Sequence, residues 1–90
     1  MELVIIGKDG RYYYKYDEQL FELNETSFED LKSKVSTPLT IHFKNCHIIF
    51  IGDIISNLFE EVVELSVKKV SDDMDDYDAV LTINKEVKLK

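Results

Sequence analysis

Ninety residues suffice for one domain, residues 1–90, and an apolar fraction of 44% gives it the means to build a core, so wholesale disorder is excluded. Eighteen acids against eleven bases leave a net charge of −7, with Arg11 the single arginine. That balance disfavours direct nucleic-acid binding, which draws on clustered Lys and Arg, and makes a basic partner easier to accommodate.

Cys46 is alone, which rules out an internal disulfide and points to a reducing, cytoplasmic setting. The start of the chain lacks the basic residues and long apolar run of a signal peptide. The longest apolar stretch, Ile48 to Ile55, is broken at Gly52 and Asp53, well short of the roughly 20 residues of a membrane span, so a soluble protein without membrane contact is expected.

Leu3 to Ile6 and Arg11 to Tyr16 are β-branched and aromatic runs on either side of Gly7-Lys8-Asp9-Gly10. An Asp-Gly pair between such runs is a strong hairpin signal. With Asp9 and Gly10 as the turn, Ile5 faces Tyr14 and Leu3 faces Tyr16 on an apolar side, leaving Val4, Ile6, Tyr13 and Lys15 on the other. A third short strand, Leu20 to Leu23, follows the turn at Asp17-Glu18-Gln19 as a meander.

Thr26-Ser27-Phe28-Glu29 has the form of a capping box, in which hydroxyl and carboxylate satisfy orphan amides at a helix start. The helix is predicted to run to about Val35 with Phe28, Leu31 and Val35 on one buried face, and Pro38 blocks its continuation. Leu39 to Ile51 alternates around Lys44-Asn45 and predicts a second hairpin. In that register Leu39, Ile41, Phe43, Cys46, Ile48 and Phe50 share one side, and Thr40, His42, His47, Ile49 and Ile51 the other.

Asp53 is placed to cap a second helix with apolar positions Ile54, Ile55, Leu58, Phe59, Val62 and Val63, and with Asn57, Glu60, Glu61 and Glu64 opposite. Its end admits two readings, since Val62 to Val70 is rich in β-branched residues: a longer helix, or a stop near Glu61 and a strand through Val67. Ala79 to Asn84 reads as a strand able to pair with Glu64 to Val70, and Val87 to Lys90 as an extension of the sheet. The order ββ(β)αββαββ describes an α+β fold, a mainly antiparallel sheet built from hairpins with two short helices packed on one face.

Five aspartates, Asp72, Asp73, Asp75, Asp76 and Asp78, fall between Ser71 and Asp78 without a compensating base. The spacing fails the EF-hand pattern: counted from Asp73, the sixth and twelfth positions are Asp78 and Asn84 where glycine and glutamate are wanted. Charge blocks are usually solvated loops. The functional alternative is a mimic of nucleic-acid phosphates, with Glu60, Glu61 and Glu64 of the neighbouring helix extending the carboxylate row into an Arg- and Lys-lined groove of a partner.

His42 and His47 are cross-strand neighbours in the predicted second hairpin, but two imidazoles are too few ligands for a structural or catalytic zinc site. Cys46 and His47 are adjacent on a strand and point apart, so they form no nucleophile–base pair. Tyr12, Tyr13, Tyr14 and Tyr16 alternate between faces, so at most two rings serve a surface. Enzyme signatures such as Gly-x-Ser-x-Gly, a Walker loop or His-Glu-x-x-His are absent, and no cofactor or metal is implied.

The expected function is stoichiometric protein binding without catalysis, by an inhibitor whose carboxylates cover the groove of a basic nucleic-acid-binding protein. In size and charge alone the chain is similar to the compact acidic inhibitors of phages and mobile elements, anti-CRISPR proteins among them. The alternative is a structural or assembly protein, a homodimer or larger homo-oligomer joined through an exposed strand edge or through the Ile49 and Ile51 face of the second hairpin.

Overall fold

The structure, a computed structural model, describes residues 1–59, 65–69 and 76–83. It opens with an antiparallel meander of β1 (Glu2–Lys8), β2 (Arg11–Tyr16) and β3 (Gln19–Glu22). Both turns hold their two central residues at positive φ, Asp9 and Gly10 at 53° and 75° and Asp17 and Glu18 at 49° and 64°. This is the primed turn whose twist matches that of the strands. The β1–β2 register is the expected one, with Ile5 opposite Tyr14; the second turn is Asp17-Glu18 alone, one residue shorter than expected, so Gln19 pairs with Tyr16 and Phe21 with Tyr14.

The first helix, α1 (Glu25–Lys34), begins before the predicted Thr26 cap. Asn24 Oδ1 accepts from the amides of Thr26 and Ser27 at 3.0 Å, and Ser27 Oγ accepts from the Asn24 amide at 2.8 Å. The capping box is therefore Asn24 with Ser27, because asparagine is the stronger N-cap and its short side chain reaches both donors. Leu31 and Val35 are buried and Phe28 is half-buried, as the spacing required.

The predicted second hairpin is replaced by one long strand, β4 (Leu39–His47), running directly into α2 (Ile48–Leu58). Lys44 and Asn45 form a β-bulge instead of a turn. On β4 two residues separate Phe43 from Cys46, whereas on the partner strand Asp78 alone separates Ala79 from Tyr77. Asn45 sits at φ 54°, and its amide donates to Asp78 Oδ1 at 2.9 Å. A bulge and a two-residue turn leave the same mark on a sequence, two outward residues between two inward ones. His42 and His47 consequently lie along one strand instead of across a hairpin.

The second helix starts five residues before the predicted Asp53 cap. His47 caps it, Nδ1 accepting from the Ile49 amide at 3.2 Å, and Asp53 is an exposed residue within the helix. Ile51, Ile54 and Leu58 recur at helical spacing and are buried, each contributing about 1.5–3 kcal/mol over an exposed counterpart. Ile51 thus belongs to the core, and the proposed Ile49 and Ile51 interface does not exist as a surface.

After α2, β5 (Leu65–Lys69) runs antiparallel to β6 (Asp76–Ile83), Leu65 opposite Leu81 and Val67 opposite Ala79, so the predicted pairing of these segments holds. Residues 60–64, including Glu60, Glu61 and Glu64, lie outside the described residues, as do Asp72, Asp73, Asp75 and the Val87 to Lys90 segment. The observed order is βββαβαββ in place of ββ(β)αββαββ.

The six strands among the described residues form one sheet in the order β3-β2-β1-β4-β6-β5. Four pairings are antiparallel, and the central one is parallel, with Val4 beside His42 and Ile5 beside Phe43. The mainly antiparallel α+β description stands. Leu3, Ile5, Tyr14, Ile41, Phe43 and Leu81 point from the sheet into one cluster shared with Leu31 of α1 and with Ile51, Ile54 and Leu58 of α2. The opposite face carries Val4, Ile6, Tyr13, His42 and Val80, none of them buried. No helix among the described residues is long and apolar enough to cross a membrane.

Candidate functional site: a groove between the helices

α1 and α2 lie on the same side of the sheet and leave a groove of about 560 Å³ between them. Each helix supplies a wall at i, i+3, i+4 and i+7: Glu25, Phe28, Glu29 and Lys32 from α1, and Phe50, Asp53, Ile54 and Asn57 from α2. Leu23, entering α1, completes an apolar floor with Phe28, Phe50 and Ile54. Three carboxylates and one lysine border that floor.

Both walls are fixed by contacts within the fold. Phe50 stacks face to face on Tyr12, ring centroids 3.5 Å apart and planes within 2°. Tyr12 in turn accepts a hydrogen bond from the His47 amide at 3.3 Å, tying β2 to the start of α2. Burial raises the Tyr12 phenol, an effect the His47 amide partly offsets. On α1, Lys32 lies over the Phe28 ring at 6.0 Å. Lys34 lies over Phe21, Tyr16 and Tyr14 at 4.9, 5.0 and 5.8 Å.

The lysines of α1 therefore rest their ammonium groups over aromatic faces. The ion pairs among the described residues are Arg11 with Glu22 at 3.9 Å and His42 with Glu2 at 3.6 Å, both elsewhere. Glu25, Glu29, Asp30 and Asp53 are exposed and enter neither. The helical layer presents an anionic surface around an apolar slot.

The sequence-predicted site is only partly in view. Asp76 and Asp78 are half-buried on β6, and Asp78 is engaged in bracing the β4 bulge through Asn45. Asp76 lines a separate hollow at the end of the β1–β2 hairpin with Lys8, Arg11 and Tyr12. The Tyr12–Phe50 stack stands between that hollow and the groove, one ring facing each. The tyrosine run is split between faces: Tyr14 is core, Tyr12 and Tyr16 flank it, and Tyr13 lies on the opposite side.

His47 uses its Nδ1 lone pair in capping α2, and His42 Nε2 lies 3.6 Å from Glu2 Oε1. Cys46 is fully buried, its thiol donating to the Lys44 carbonyl at 3.3 Å and facing that of Ile5 at 3.7 Å. Burial pushes the thiol up to about 11, and the carboxylates of Asp78 and Asp76 add to the rise. That is the reverse of an activated nucleophile.

The linkage has a definite sign. Between the thiol's unfolded value near 8.5 and its folded value the native state holds more protons, so stability present below about pH 8.5 is lost as pH rises through 11. The raised Tyr12 phenol acts in the same direction. A urea-denaturation series from pH 8 to 11 is expected to show stability falling steadily, with part of the slope removed in Cys46→Ala. At pH 8 a disulfide reagent is expected to label Cys46 rapidly only in the unfolded protein.

The groove was not predicted from sequence, because its α2 wall begins at Phe50, ahead of the expected helix. No protein-family model matches the chain, and neither a curated protein nor a solved structure shows significant similarity to it.

Proposed function

We propose that the protein acts by stoichiometric binding to a basic protein partner, without catalysis, as an inhibitor whose carboxylates occupy a nucleic-acid-binding groove of its target. The observation that carries the proposal is the acidic surface of the helical layer, where Glu25, Glu29 and Asp53 border an apolar slot and outnumber the one lining lysine, Lys32, which lies over the Phe28 ring. Carboxylates that form no ion pair among the described residues remain available to a cationic surface, and they steer it from a distance. The acidic segment Asp72, Asp73, Asp75 and Asp76 adds charge of the same sign.

The test is a pull-down from cell lysate at low and high salt. Wild type is compared with a variant carrying Lys at positions 72, 73, 75 and 76; Asp78 is kept because it braces the bulge. The expected result is a basic nucleic-acid-binding protein retained by wild type, released by salt and missed by the variant. Equal retention by both proteins would sink the mimicry.

Assembly is the second proposal, favoured by one observation: among the described residues β3 and β5 are the sheet's outer strands, and their Leu20 and Val67 are 58% and 43% exposed. It calls for a concentration-dependent mass unaffected by salt.

A further inference from the structure

We infer that the groove between α1 and α2 receives one face of a cationic amphipathic helix. The inference rests on the binding function proposed above and names the part of the partner that docks. Both walls repeat at i, i+3, i+4 and i+7, so the groove runs along the helix axes, and the lining stretches 25–32 and 50–57 give it a length of about 12 Å. That length matches roughly two turns of a third helix.

The floor of Leu23, Phe28, Phe50 and Ile54 is apolar, and all but Ile54 are half-buried, so apolar area remains to be covered. A volume of about 560 Å³ takes a few large side chains and leaves the rest of the incoming helix outside. The occupant is therefore amphipathic: apolar residues at i, i+3 or i+4, and i+7 enter the slot, and the flanking positions meet the rim.

The rim chooses the sign of those flanking residues. Glu25 and Glu29 stand on one wall and Asp53 on the other, while Lys32 is drawn over Phe28. Lysine or arginine beside the apolar stripe is paired on both sides, and glutamate there is repelled. The open face of the sheet offers no such selection, since Lys15 and Lys44 share it with Glu2 and Glu22 around Val4 and Ile6.

The experiment is an amide-correlation NMR titration of the full chain with a synthetic Lys/Leu peptide of amphipathic helical pattern, run beside a peptide of the same composition in scrambled order. Saturable shifts centred on Leu23, Phe28, Phe50 and Ile54 are expected, with the scrambled peptide weaker by about tenfold. Glu25→Lys, Glu29→Lys and Asp53→Lys together are expected to weaken binding by at least about tenfold, and the milder Glu29→Gln with Asp53→Asn pair by a few-fold, while keeping native dispersion.

Non-saturating shifts, shifts spread over Asp9, Asp17 and Glu18, equal binding of both peptides, or full affinity in the charge variants would overturn the inference. A basic partner captured equally well by wild type and the groove variants would remove the inference and leave the proposed binding to rest on the Asp72, Asp73, Asp75 and Asp76 segment alone. Peptide binding in the groove without capture of any basic partner would do the reverse.

Discussion

Phe43→Ala is expected to lower the unfolding free energy by about 3–5 kcal/mol, the range for emptying an aromatic site that cannot collapse. Phe43 is fully buried on β4, with Ile5 beside it on β1 and Ala79 opposite it on β6. Backbone ladders on both sides hold the strand in place, so the surroundings have little freedom to close over the vacated space. The loss is a large share of the roughly 5–15 kcal/mol available to a domain of ordinary stability. Urea denaturation followed by circular dichroism measures it. A loss below about 1.5 kcal/mol would contradict the assigned packing. Ile49→Ala, at a side chain 67% exposed, is the control and is expected to change stability by no more than about 0.5 kcal/mol.

Gly7→Ala should cost about 3 kcal/mol, or on the order of 15 °C in melting temperature, although it adds only one methyl group. A Cβ at Gly7 would collide with the backbone carbonyl of Asn45, and it would press on the Tyr12 ring at 3.2 Å. The obstructing atoms belong to the bulge. The Asn45 side chain donates to the Gly7 carbonyl at 3.2 Å while the Asn45 amide is held by Asp78. Moving Asn45 away from a new Cβ disturbs both bonds and shifts Tyr12, on which Phe50 and one wall of the groove lean. Gly52→Ala is the counterpart. That position is an exposed helix residue with nothing within 4 Å of an added Cβ, and alanine there is expected to stabilise by about 0.5–1 kcal/mol through helix propensity. A thermal melt of both variants separates the cases, and a neutral Gly7→Ala would show that β1 and the bulge are not in close approach.

The meander was legible from sequence because local chemistry dictates it: Asp9-Gly10 suits a primed turn, and Ile5 and Tyr14 then face each other without help from the rest of the chain. The middle of the chain was legible only in part. Phe43, Lys44, Asn45 and Cys46 read the same whether the chain reverses or bulges, and the distinction is made by β6, which lies far along the sequence and supplies the Asp78 carboxylate. Ile48, Ile49, Ile51, Ile54 and Ile55 favour strand by propensity. They become helical because Ile51, Ile54 and Leu58 then share the face that covers the core, a tertiary effect outweighing a local one.

The groove was hidden for the same reason. Its α1 wall is visible as Glu25, Phe28, Glu29 and Lys32 at helical spacing, but the opposite wall appears only once α2 is known to begin at Ile48.

The placement of β4 has a kinetic consequence. The meander β1–β2–β3 and the β5–β6 hairpin each close over short stretches of chain, whereas the sheet's centre pairs Val4 with His42 and Leu39 with Ile83, residues far apart in sequence. Loop-closure entropy is spent on those joins before their contacts repay it, which places the domain among slower folders of its length. Until β4 arrives, the paired strands on either side present bare backbone at β1 and β6, the edges at which a newly made chain is most exposed to pairing with another copy of itself.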